Sequence, residues 1–259
     1  MGLKSSGSTW LYNVVIRVLK ESSRGRGTSK APSKGVMAFY ADGLGAFPAD
    51  SERARYLVVK CHEPSAALLY LTRLTRGRLL VTVREPRDAI VSLIQRFRNS
   101  FDAALKDVTR EAASIVELSR THETLTLRYE DRFYDRSETI GAIAAHLGVR
   151  LSAAARQRIH RSLTRDAVRK RIAALQDRGM FGADPDEFDP RTHWHPGHVG
   201  DGRIGKFSVL SPVQQRRIAS ATRAFCCRFR YRPKAAASPR RTGPKRPAST
   251  TSQSAPPRR

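Results

Sequence analysis

The sequence predicts an α/β fold with a mainly parallel sheet flanked by helices, on three observations. Short, β-branched apolar runs recur along the chain, and each is followed by a longer stretch of helical periodicity. This strand–loop–helix order repeats several times, which favours parallel pairing through helical crossovers. A loop with two glycines, Gly2 to Thr9, stands just before the first helical pattern.

Taken in order, Trp10, Leu11, Val14, Val15, Val18 and Leu19 recur at helical spacing, and Ser8 or Thr9 caps that helix. Residues 21–35 hold the Gly, Ser, Pro and charge of a mobile loop. Residues 56–59 read as a buried strand, followed by a helix with Pro64 near its first turn. Residues 79–83 are another buried strand, and Pro86 starts a helix carrying Ala89, Ile90, Leu93, Ile94 and Phe97. An amphipathic helix covers 101–120, a third strand starts at Thr124, and a further helix runs from Ser137. Residues 151–177 are helical and strongly basic. Residues 180–207 form a long irregular segment, of the length that lids and binding loops have. A last helix is capped by Ser211, with Pro212 in its first turn. Only Met1, Gly2 and Leu3 precede the opening loop, so the strand expected there is truncated or begins upstream.

At 259 residues the chain suits one domain, expected over 1–231, followed by a disordered basic tail at 232–259. Lys and Arg number 48 against 23 acids, a net charge of +25. The tail holds eight basic residues and no acid, so the body itself carries +17. Such a body favours anionic ligands. Three cysteines, two of them adjacent, give no disulfide framework. With no apolar run of membrane-spanning length and no signal-peptide pattern, the expected setting is cytoplasmic.

Three segments carry candidate chemistry. In Gly2–Thr9 the glycines let backbone N–H groups approach an anion at a helix N-terminus, with Ser5, Ser6, Ser8 and Thr9 adding hydroxyls. Ser8 stands where a triphosphate-binding loop has lysine; the lysine is at Lys4. Arg84 ends a strand, where parallel sheets bind ligands, and Ser92 follows two helical turns later. Lys60 and His62 alternate after a strand, so an anion clamp and a base point the same way. Each segment alone has a plainer reading: an unliganded Ser-rich helix start, an arginine paired with Glu85 or Asp88, a hydrogen-bonded histidine.

Together and in this order, the segments resemble the sulfotransferases that use 3'-phosphoadenosine-5'-phosphosulfate. "KSSGSTW" is similar to their 5'-phosphosulfate loop, "VREPRDAIVS" to their 3'-phosphate motif and "VVKCHEP" to their K-x-H segment. "LRYEDRFYDRSETIGAIAAHLGV" resembles their Tyr-Glu-Asp stretch, and "GDGRIGKFSVLSP" their late glycine-rich motif. The resemblance spans roughly Lys4 to Pro212. It implies a three-layer P-loop-like fold and transfer of a sulfuryl group to a hydroxyl or amine. Ser5, Ser6, Gly7, Ser8 and Thr9 would hold the 5'-phosphate and sulfate, and Trp10 would stack on adenine. Arg84 and Ser92 would grip the 3'-phosphate, with Tyr129 near the adenosine. Gly202, Arg203, Gly205 and Lys206 would close over the nucleotide. His62 would be the general base, while Lys60 and Lys4 would neutralise the transferring group. No metal is implied. The acceptor class stays open among small molecules, lipids and carbohydrates.

Aligned on Gly7, the usual lysine position holds Ser5, and Gly200 and Asp201 stand where Arg-Lys is common. Competing readings are a basic nucleic-acid binder, an inactive nucleotide-binding homologue and a P-loop kinase. No helix-turn-helix, zinc-finger or RNA-recognition pattern supports the first. His193, His195 and His198 lack a convincing further zinc ligand and read as lid residues.

Overall fold

The first three residues lie along a strand, and the loop after them feeds directly into α1 (Ser8–Glu21). The structure is a computed structural model and describes residues 1–21, 28–30, 57–181 and 188–231. The expected tail at 232–259 lies outside the described residues, as do most of the positions read as a mobile loop. Within that stretch, β1 (Thr28–Lys30) pairs in parallel with β2 (Leu57–Val59). The loop reading is corrected there: a three-residue strand recruited by backbone pairing has no side-chain period to read.

α2 (Ala66–Leu74) is capped by Ser65, whose hydroxyl accepts from the Leu68 N–H. β3 (Leu79–Val83) leads into α3 (Pro86–Phe97), then α4 (Phe101–Thr121) and β4 (Thr124–Arg128). β3 and β4 pair in parallel, Leu79 opposite Thr124 and Val83 opposite Arg128. On the other edge of β3, the Leu3 N–H donates to the Thr82 carbonyl and the Thr82 N–H to the Met1 carbonyl. Three residues therefore suffice to pair the centre of β3 and to place the loop at its carboxyl end.

Two 3₁₀ turns, Tyr129–Asp131 and Phe133–Asp135, precede α5 (Ser137–His146). The basic stretch is two helices, α6 (Ala153–Ser162) and α7 (Arg165–Asp177), because Thr164 caps the second by accepting from the Ala167 N–H. A 3₁₀ turn at Lys206–Val209 precedes α8 (Pro212–Ala221) and α9 (Arg223–Arg228).

The sheet separates two apolar clusters. Val81 and Val83 pack with Ile90 of α3, Ile115 of α4, Ile218 of α8 and Phe225 of α9. Leu80, pointing the opposite way, packs with Val14 of α1, Ile143 of α5, Ile159 of α6 and Ile172 of α7. Alternation along one strand thus buries both faces under helices, as parallel sheets require. Ser211 and Gln214 form a reciprocal capping box on α8. Ser211→Ala is expected to cost about 1 kcal/mol, read as a lower urea midpoint; an unchanged midpoint would remove the cap from the stability account.

Candidate functional site

The opening loop makes two turns that need a left-handed backbone, at Ser5 (φ 61°) and Gly7 (φ 88°). A Cβ on Gly7 would stand 2.9 Å from the Phe133 ring, so only glycine fits. Ser6 is fully buried and faces the sheet, its hydroxyl bonded to Leu3 and Thr82. Its N–H is also spent, on the Leu3 carbonyl. Ser5, Gly7, Ser8, Thr9 and Trp10 instead border a cavity of about 500 Å³. The first turn of α1 opens onto it with N–H groups that have no partner inside the helix.

Lys4 also borders the cavity, but its ammonium is engaged elsewhere. Nζ lies 2.7 Å from Asp107 and 3.6 Å from Glu111, and the Lys4 N–H donates to Glu111 at 2.7 Å.

Lys60 and His62, just beyond β2, form the adjoining wall. His62 Nδ1 lies 2.6 Å from the Gly2 carbonyl, which can only accept, so Nδ1 carries the proton. Nε2 is then the lone-pair nitrogen, 3.5 Å from Lys60 Nζ. Burial, reinforced by Lys60, pushes the imidazole pKa down to about 3, so the ring is neutral at physiological pH.

Arg84 caps the far side. Its Nη1 donates to the Ser5 carbonyl (2.9 Å) and the Ser92 hydroxyl (3.2 Å), and Nη2 to the Arg203 carbonyl (2.9 Å). The guanidinium lies 4.2 Å from the centre of the Tyr129 ring. Asp88, one helical turn from Arg84, accepts from the Gly205 and Phe207 N–H groups. The late loop is thereby fastened onto the start of α3. Gly202 and Lys206 border the cavity, Lys206 paired with Asp201 at 2.7 Å. Ser6, Arg203 and Gly205 do not border it; Arg203 contributes its carbonyl while its side chain is exposed.

Thirteen of the sixteen residues singled out in the sequence thus meet around one cavity, although they come from five separate segments. The model of the sulfotransferase domain family matches residues 1–178.

The chain belongs to the sulfotransferase domain family.

Among solved structures it is similar to mouse sulfotransferase SULT7A1 complexed with PAP (TM-score 0.63, 17% identity, 89% of this chain and 86% of that one). It is also similar to retinol dehydratase with androsterone and inactive cofactor PAP (TM-score 0.58, 17% identity, 87% and 79%). A retinol dehydratase complex with retinol and PAP gives TM-score 0.57 at 18% identity over 87% and 79%. These identities bear on the fold, a P-loop-like α/β fold with a parallel sheet. No curated protein sequence matches the chain.

The cavity suits a ligand bearing several anionic oxygens. Ser5 Oγ, Trp10 Nε1, Arg84 Nε and Arg96 Nε are buried donors without a partner among the described residues, and all belong to cavity-lining side chains. Unsatisfied buried donors are costly, so such a set is what a polar ligand completes. Among the described residues, no group of three or more His, Cys, Asp or Glu could hold a metal ion.

Two residues that line the cavity, Arg96 and Arg165, escaped the sequence reading. Arg96 lies one helical turn beyond Ser92, a spacing that could have flagged it. Arg165 starts α7 and donates to the Asp201 carbonyl; it sits where a Cβ on Gly202 would be, 2.3 Å away. Nothing in its local sequence signals that. His193, His195 and His198 line the cavity beside Phe97 and Phe188. Burial pushes His193 down to about 4 and His198 well below the usual imidazole range.

Proposed function

We propose that this protein transfers a sulfuryl group from 3'-phosphoadenosine-5'-phosphosulfate to the hydroxyl or amine of an acceptor. The observation that carries the reading is the convergence of the loop, the Lys60–His62 wall, the Arg84–Ser92 pair and the late loop on one cavity. Arg84 and Ser92 are assigned to the 3'-phosphate and the α1 N-terminus to the phosphosulfate. Trp10 and Tyr129 flank the base and sugar. His62 Nε2 takes the acceptor proton as the acceptor oxygen attacks sulfur. The bond from sulfur to the bridging oxygen breaks, and its electron pair leaves on the 5'-phosphate. Lys60, next to Nε2, neutralises charge there; catalysis of this kind is mostly positioning and charge stabilisation.

The acceptor side is walled by Phe97, Phe188, Trp194 and Val199, with His193 and His198, whose basicity burial lowers, on the same wall. Two of the similar structures hold androsterone or retinol. Both facts support a small-molecule acceptor with an apolar body. All three cysteines are free, which supports a reducing, cytoplasmic setting. Among the described residues, no helix is long and apolar enough to cross a membrane.

The direct test combines thermal shift with PAP (adenosine 3',5'-bisphosphate) and transfer of label from the donor to a panel of phenols, sterols and sugars. A rise in melting temperature and a labelled product are expected; neither occurring would overturn the reading. A second expectation concerns His62 alone. Its proton resonances should stay constant from pH 8 to about 5 in the ligand-free protein, because the folded pKa lies near 3. A midpoint near 6.5 would remove the buried neutral base. By linkage, the unfolded chain takes up this proton first, so His62 lowers stability as pH falls from about 6.5 towards 3.

A further inference from the structure

The lysine of the opening loop is paired with carboxylates of α4. Its ammonium faces Asp107 at 2.7 Å and Glu111 at 3.6 Å, both on α4, and Glu111 also accepts the Lys4 N–H at 2.7 Å. Glu111 is fully buried. Moving Lys4 towards a reacting group would break its ion pair with Asp107 and take from buried Glu111 the cation that favours its charged form. Lys60 differs: among the described residues it has no carboxylate within ion-pair distance, and its Nζ lies 3.5 Å from His62 Nε2.

The same face of α4 also reaches the base. Asp107, Arg110 and Glu111 are spaced three and four apart, so they share one side of the helix. Arg110 lies 3.1 Å from Glu63, the residue after His62, and 3.2 Å from Asp107. One helix face therefore grips the start of the loop through Lys4 and the His62 segment through Glu63.

We propose that Lys4 is a tether rather than the transfer cation, that Asp107, Arg110 and Glu111 of α4 hold the loop and the His62 segment in register, and that Lys60 alone carries the charge at the breaking bond. This rests on the donor reading above. Lys4 and Glu111 are positioning residues; Lys60 is catalytic. The groups facing Glu111 are Lys4, Asp107, Glu63 and Lys60. Burial pushes the Glu111 pKa up to about 7, so Asp107 is the firmer of the two anchors for the ammonium.

The test compares Lys4→Met, Lys4→Arg, Asp107→Asn and Lys60→Met in the full chain. PAP affinity is measured by calorimetry, melting temperature by scanning, and kcat at saturating donor with an acceptor from the panel. Lys4→Met and Asp107→Asn should lower the melting temperature and weaken PAP about tenfold, with kcat changing less than threefold. Lys4→Arg, which keeps the ion pair, should restore both. Lys60→Met should cut kcat at least tenfold with PAP affinity nearly unchanged. A tenfold loss of kcat in Lys4→Met at unchanged PAP affinity would overturn the proposal, as would an unaffected Lys60→Met. Wild-type protein that binds no PAP while Lys4→Met still melts early would sink the donor reading and leave the tether standing.

Discussion

Replacing His62 by alanine is expected to lower kcat for sulfuryl transfer by roughly 10²-fold or more, the usual contribution of a positioned general base. PAP should bind the variant as it binds the parent, because His62 is fixed by the Gly2 carbonyl and not by any donor-assigned group. The geometry makes the effect specific. Nδ1–H is committed to Gly2, which leaves Nε2 as the single lone pair on the ring, facing the cavity beside Lys60. Buried and next to a cation, the imidazole is weakly basic in the ligand-free protein. On the proposed reading, anionic oxygens brought near Lys60 would offset that cation's effect and raise the basicity of Nε2. His62→Gln, which keeps hydrogen-bonding capacity but no basic nitrogen, should be as slow as alanine. Turnover unaffected by either change would take the base role from His62.

Arg84→Ala is expected to weaken PAP by about 1.5–3 kcal/mol, the loss of a hydrogen bond to a charged group, a ~10- to 150-fold rise in Kd. Arg84 is buried and does two jobs at once. It lines the cavity beside Ser92, and it bonds both the Ser5 and the Arg203 carbonyls, linking the opening loop to the late loop. Removing it therefore also frees the late loop, and part of the loss will be loop disorder. Arg84→Lys separates the two: it keeps the charge but not the planar fork, and should fall between alanine and the parent. Equal affinities in a calorimetric titration of all three proteins would exclude Arg84 from the donor site.

The fold was legible because its signals are local. The apolar runs at 57–59, 79–83 and 124–128 are strands, and Pro86 and Ser211 mark helix starts through their own geometry, whereas the break that Thr164 makes within the basic stretch did not show. β1 was not legible, since Thr28–Lys30 is a strand only by virtue of its partner β2. The site was legible where a motif places several residues on one turn, as in the loop and in Arg84–Ser92. It was not legible for Arg165, which reaches the cavity because α7 packs under Leu80 and α1 and not because of any spacing around it.

By itself, the sequence determined which residue types stand at the loop and strand ends and in what order the elements run, because loop glycines, caps and strand alternation act over a few residues. Only the tertiary structure decided which of two nearby lysines is paired with carboxylates among the described residues. Lys4 and Lys60 look alike in sequence, yet Lys4 meets carboxylates 103 and 107 residues away while Lys60 meets a neutral imidazole. Charge pairing depends on distance through space, and that distance is set by where α4 packs.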